Sequence, residues 1–243
     1  GQALQNIANA LYYQRDFPTA LKSYEARLAI EREIENEEGI ANALLGIGTI
    51  QYSTYDYSAA LKAYRDALAI QEKLNDEVLI GTTLISTGNV LYLQGDFEGA
   101  IADYRRSEAL KRKNHDIAGA ANALEGLGRV YFAQGDYAAA LGAFNGVLQE
   151  WRRFKATARQ ALVLQHVGET HFRLGNNDQA RAAFEESRKD FESVKDIGSA
   201  GRVLQSGAVN ELVLGRFPAA QKAYTVSITL CTSAKDDECI ARA

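Results

Sequence analysis

The period of this chain constrains it more than any other feature. Gly95-Asp96-Phe97 and Gly135-Asp136-Tyr137 are one motif repeated 40 residues apart. Steps of 40 reach Asp16-Phe17 and Asp56-Tyr57 upstream, then Gly175-Asn176 and Gly215-Arg216-Phe217 downstream, with no insertion or deletion. Six copies cover residues 1–40, 41–80, 81–120, 121–160, 161–200 and 201–240, and residues 241–243 begin a seventh. A repeat of this size is a supersecondary unit that cannot bury its apolar face alone. The expectation is one array over residues 1–243, held together by stacking of neighbours.

Aligned copies give columns with a physical meaning. Column 4 is Leu in every copy (Leu4, Leu44, Leu84, Leu124, Leu164, Leu204), and column 20 is always Ala. Column 8 is always Ala or Gly, column 12 is aromatic in five copies, and column 24 is aromatic in all six. The stripes 4-8-12 and 20-24-28 are helical, and columns 15–18 between them carry Gly, Asp and Pro. Each copy therefore reads as helix A, a turn and helix B. Asn36, Asp76, Asp116, Asp196 and Asp236 suit the start of the next helix A, whereas the fourth copy has Ala156, leaving Thr157 as its cap. Small residues at columns 8 and 20 let two helices cross closely, and the rings at columns 12 and 24 fill the space around the crossing. Helix B is expected to run about 17 residues, roughly 25 Å.

Composition agrees with an all-α reading. Of 243 residues only 2 are Pro, which breaks helix interiors. With no Met in the sequence, the expectation is a piece of a longer protein. No apolar run of 18 residues exists, so no membrane span is expected. The net charge of −4 speaks against nucleic acid as the main partner.

The column pattern resembles the tetratricopeptide repeat (TPR) family. In the fourth copy Gly128, Tyr131, Gly135, Tyr137, Ala140 and Phe144 fall in that family's order. Two departures are Leu for Trp at column 4, and a period of 40 without Pro at column 32, where the family standard is about 34 residues. This is similar to the extended form found in kinesin light chains and some bacterial peptide receptors. The resemblance implies an all-α, right-handed solenoid of antiparallel helix hairpins, a TPR superhelix that binds protein or peptide along its concave helix-A face.

Columns 2, 6, 9 and 13 form the helix-A stripe opposite the packing face. In the first half it is small and amide-rich, and the candidate groove residues are Asn6, Asn9, Asn42, Thr49, Asn89 and Asn122. Asn offers both donor and acceptor to an extended peptide, whereas a merely solvated helix face favours Glu, Lys and Arg. The resemblance also implies a test for chaperone-tail binding, a two-carboxylate clamp. Of the clamp positions, holding Gln5, Asn9, Gly46, Thr82 and Ser86, only Asn9 matches, so that ligand is not expected. The clamp's diagonal does recur further along as Arg129, His166 and Arg202, suited to a carboxylate of an acidic peptide. The competing reading pairs Arg129 with Glu125 or Glu169 and makes no site of it.

No catalytic motif stands out. The three His are His115, His166 and His171; the last two, five residues apart, lie on different helix faces, so no metal site is expected. Gly46-x-Gly48 and Gly126-x-Gly128 sit inside helix A and do not make a phosphate loop. The expected function is a scaffold without catalysis or cofactor, one module of a larger protein that binds protein or extended peptide. A peptide-gated receptor and self-association through the array's ends are its rivals. Cys231 and Cys239 fall at columns 31 and 39, close enough in sequence order to bridge. A bridge would point to export, and two separate thiols to the cytoplasm. The second reading is the expectation.

Overall fold

A left-handed residue followed by a capping side chain ends almost every helix. The computed structural model describes residues 1–242, so Ala243, the end of the expected seventh helix A, lies outside the described residues. Positive φ values occur at Arg15, Tyr55, Gly95, Gly135, Gly175 and Gly215, all at column 15, and at Glu35, Asn75, His115, Lys155, Lys195 and Lys235, all at column 35. The two turns of each copy are thus alike. One residue later comes a cap. Asp16, Asn36, Asp56, Asp76, Asp96, Asp116, Asp136, Asp196 and Asp236 each accept a hydrogen bond from the backbone N–H three residues on. Thr157 does not cap the fourth-to-fifth turn. It is already the first residue of its helix, and Ala156 occupies the cap position without a side-chain bond.

Thirteen helices result among the described residues, and no strand. The chain divides into two compact units, Gly1–Val130 and Tyr131–Ala243. The first contains α1 (Gln2–Tyr13), α2 (Phe17–Glu33), α3 (Glu37–Ser53), α4 (Tyr57–Leu74), α5 (Glu77–Gln94) and α6 (Phe97–Lys113), with α7 (Ile117–Gln134) running out of it. The second contains α8 (Tyr137–Arg153), α9 (Thr157–Arg173), α10 (Asn177–Ser193), α11 (Ile197–Val213), α12 (Phe217–Ala234) and α13 (Asp237–Arg242). From α1 to α6, and again from α8 to α13, each helix packs on the next, which makes tandem hairpins. Apart from α1 and α13, the helices hold 17 or 18 residues, as the periodicity requires.

The core is built on the small columns. Ala20, Ala60, Ala100, Ala140, Ala180 and Ala220 are all buried. The ring at column 24 lies against two helix-A positions. A Cβ added at Gly88 would meet the Tyr104 ring at 2.9 Å, and one at Gly126, column 6 of the next copy, would meet it at 2.5 Å. Gly46 stands in the same relation to Tyr24, at 2.1 Å, and Gly48 to Tyr64, at 2.6 Å. This close approach explains Gly46, Gly48 and Gly126 of the two glycine pairs singled out in the sequence. Column 12 differs from expectation: its rings are half-buried and pair with column 17 beside the turn, as in Tyr12–Phe17 at 5.7 Å and Phe132–Tyr137 at 5.3 Å.

A second buried contact joins column 31 to the start of the following helix. Glu31 accepts from Arg27 Nε at 3.3 Å and from Asn36 Nδ2 at 2.7 Å, and Gly39 leaves it room. Lys111 pairs with Asp116 at 3.0 Å and donates to Thr82 at 2.7 Å. Trp151 is buried and lies under the Arg159 guanidinium at 5.8 Å. At the last such junction Cys231 and Cys239, 5.6 Å apart at Cα, are joined in a disulfide. This corrects the expectation of two separate thiols. The junction brings columns 31 and 39 into contact whatever residues fill them, and here both are cysteine.

Two outcomes follow from this packing. Gly46→Ala forces a methyl group into the Tyr24 ring and is expected to cost about 1–3 kcal/mol, read from urea unfolding. Trypsin cleaves after Lys235, between the two cysteines, so the flanking peptides should stay joined in non-reducing mass spectrometry and part on reduction.

Candidate functional site

Column 9 of helix A meets the far end of the column-24 ring. In the first unit that ring is a tyrosine, and its hydroxyl crosses the hairpin. Tyr24 donates to Asn9 Oδ1 at 2.5 Å, Tyr64 to Thr49 Oγ1 at 3.4 Å and Tyr104 to Asn89 Oδ1 at 2.7 Å. Asn89 Oδ1 also accepts from Arg129 Nη2 at 2.8 Å. Arginine only donates, so the Asn89 oxygen must face it, which leaves the Asn89 Nδ2 donors uncommitted. Burial pushes the Tyr104 hydroxyl up to about 12, against the pull of Arg129. Burial likewise raises Tyr64 and Tyr24.

Three of the six expected groove residues line one cavity. Asn9, Asn42 and Thr49 border a space of 290 Å³ with Gln5, Tyr24 and Leu45, between α1, α2 and α3. Asn6 is exposed and accepts from Gln2 Nε2 at 3.2 Å. Asn89 belongs to the Tyr104–Arg129 cluster, and Asn122 is half-buried on α7. The tyrosine hydroxyls were missed from the sequence, although a signal exists. In the first three copies, where column 24 is Tyr, column 9 reads Asn, Thr, Asn; it is Arg129 and Glu169 where column 24 is Phe, and only the sixth copy, with Tyr224 and Val209, departs from the pairing.

The residues of the expected diagonal are each engaged. Arg129, in the first unit, bonds Asn89 and lies 5.6 Å from the Tyr92 ring. In the second unit Arg202 is ion-paired with Asp236 and donates to Ser199 at 2.7 Å. His166 takes column 6, where the second and fourth copies hold Gly46 and Gly126, and stacks on Phe144 at 5.1 Å; its Nδ1 is 3.9 Å from Glu169. Burial raises the Glu169 carboxyl, but hydrogen bonds from His166 and Gln165 outweigh it and hold Glu169 below its usual value. His171 is half-buried, and burial holds it below the usual histidine range. Among the described residues no group of three His, Cys, Asp or Glu is placed to hold a metal ion, and no helix is long and apolar enough to cross a membrane.

Tyr104 gives the site a measurable pH dependence. A hydroxyl that ionises near 12 folded and near 10 unfolded contributes fully below pH 10 and loses that contribution as pH rises through 12. Two units correspond to about 2.7 kcal/mol. Unfolding free energy should fall more steeply between pH 10 and 12 in the parent chain than in Tyr104→Phe.

These hairpins are shared with known structures. BtubC from P. vanneervenii superposes with a TM-score of 0.78 at 14% identity, over 89% of this chain and 91% of its own. A signal transduction ATPase with numerous domains, carrying a tetratricopeptide repeat sensor, from Pyrococcus horikoshii, gives 0.82 at 15% identity over 99% of this chain and 38% of its own. A Rap protein complexed with Competence and Sporulation Factor gives 0.70 at 15%, over 97% of this chain and 72% of its own. At these identities the likeness concerns the fold. No curated protein sequence matches the chain. The tetratricopeptide repeat family profile matches residues 1–73 and 119–193, more than half of the chain. With hairpins, small-residue crossings and period in agreement, the chain belongs to the tetratricopeptide repeat family.

Proposed function

We propose that the chain is a non-catalytic binding module and that its first unit takes an extended peptide along the helix-A face at Asn9, Asn42 and Thr49, continuing toward Asn89 and Asn122. The tetratricopeptide repeat fold is a protein-interaction scaffold, which supports the coarse reading. One observation carries the finer one: a buried tyrosine, Tyr24, holds the Asn9 amide by its oxygen beside an open cavity, and Tyr104 holds Asn89 in the same way further along the face. An amide held this way keeps its N–H donors for the carbonyls of an extended chain, and its fixed rotamer lowers the entropy cost of binding. Among the similar structures, the Rap protein is complexed with Competence and Sporulation Factor, and the Pyrococcus horikoshii array is a sensor. Both favour ligand recognition over a purely passive spacer.

Peptides selected by phage display against the whole chain test this reading. Asn42→Ala should weaken a selected peptide about 2- to 12-fold by calorimetry, the equivalent of one hydrogen bond of about 0.5–1.5 kcal/mol. If binding survives Asn42→Ala unchanged but is lost in Arg129→Ala, the ligand sits at Arg129 and the amide cavity is eliminated. Compaction in small-angle scattering on peptide addition would mark a gated receptor, and a mass that grows with concentration in sedimentation would mark self-association.

A further inference from the structure

Two aromatic walls, one repeat apart, border a cavity of 690 Å³ at the turn end of the first unit. In the first wall Tyr12 packs on Tyr13 and Phe17, each at 5.7 Å. In the second Tyr57 packs on Tyr52 at 5.8 Å and on Tyr55 at 6.3 Å. Ser53 Oγ, 3.3 Å from Tyr12 Oη, links the walls. The fold makes little use of the outermost rings, since Tyr13 is 83% and Tyr55 79% exposed.

Tyr55 also stands where a tyrosine is unfavourable. Its φ is 64°, and at the same turn position Gly95, Gly135, Gly175 and Gly215 have φ between 70° and 81°. A bulky side chain is strained there, and an exposed ring gains nothing in burial to offset the strain; such outliers collect at ligand sites. The other non-glycine residue at this position is Arg15, with φ 62°. Both line the cavity, so the two turns that forgo glycine are the two that border it.

The chemistry of the walls narrows the ligand. They present phenol hydroxyls and the Arg15 guanidinium, and no carboxylate lines the cavity. The guanidinium repels an ammonium group, which excludes the aromatic-cage ligands that rings alone would suit. The complement is a chain rich in acceptors and flat-sided. A proline-rich segment meets both conditions, because its prolines carry no N–H, its carbonyls are left unbonded and it presents ring faces. Its polyproline II helix repeats every three residues, about 9 Å, so one side of it presents ring faces at regular intervals to the two walls. We propose that this tyrosine cleft binds a proline-rich segment in the polyproline II conformation. The inference is separate from the amide cavity, with which the cleft shares only Tyr12 and Tyr13.

Decaproline, a glycine-serine decamer and maltohexaose, each titrated into the whole chain by calorimetry, provide the test. Decaproline should bind saturably and the glycine-serine peptide should not. Tyr55→Gly and Tyr13→Ala should each weaken decaproline at least tenfold, and Asn42→Ala should leave it unchanged. Tyr55→Gly restores glycine to the turn, so its melting temperature should equal or exceed that of the parent, which separates loss of the site from loss of the fold. The proposal is overturned if decaproline does not bind, or if it binds both tyrosine variants as tightly as the parent. Binding lost in Asn42→Ala and kept in Tyr55→Gly would place the peptide in the amide cavity and overturn it equally. So would maltohexaose binding that needs Tyr55 without decaproline binding, since the rings would then be sugar platforms.

Discussion

A ring clamped between two side-chain-free helix faces organises this structure. Tyr104 is fully buried against Gly88 of its own hairpin and Gly126 of the next helix, and a single methyl group on either side would collide with it. The contact therefore sets how closely a hairpin closes and how closely its neighbour stacks. It also has a functional end. The ring spans the hairpin, and its hydroxyl meets the helix-A face at column 9, so core packing determines how Asn89 is displayed. The same hold fixes Asn9 through Tyr24.

The second unit shows what happens when the ring loses its hydroxyl. Phe144 and Phe184 fill the same buried position, and Glu169, at column 9, turns to His166 and Gln165 for partners. His166 in turn lies flat on Phe144, so the ring stays covered although a large side chain has replaced glycine. One packing scheme thus supports two chemically different helix-A faces: amides held by tyrosine in the first unit and paired charges in the second.

Much of the fold was legible in the sequence because the period has no insertions and each column has one physical task. Leu at column 4, Ala at column 20 and the Asp caps announce helix, crossing and turn directly. The site was harder to read. Asn9, Asn42 and Thr49 could be picked out as unusual helix residues, but their shared cavity depends on α2 passing behind them with Tyr24. The diagonal of Arg129, His166 and Arg202 came from counting columns, and counting does not reveal competitors such as Asn89 and Asp236. The Cys231–Cys239 bridge was misjudged for a similar reason: eight residues of separation permit a bond without requiring one, and two separate thiols were expected.

The contacts around column 31 carry a consequence for how such an array can change. Each solves the same spatial problem with different partners: Glu31 with Asn36 beside Gly39, Lys111 with Asp116 beside Gly119, Trp151 with Arg159, and Cys231 with Cys239. The backbones are interchangeable, but these pairings are not. Shuffling the copies would set Lys111 or Glu31 against a stranger and strand a buried charge, at several kcal/mol. The junctions act as addresses that encode the order of the copies, so the array can be lengthened by duplicating whole blocks more readily than by permuting single ones.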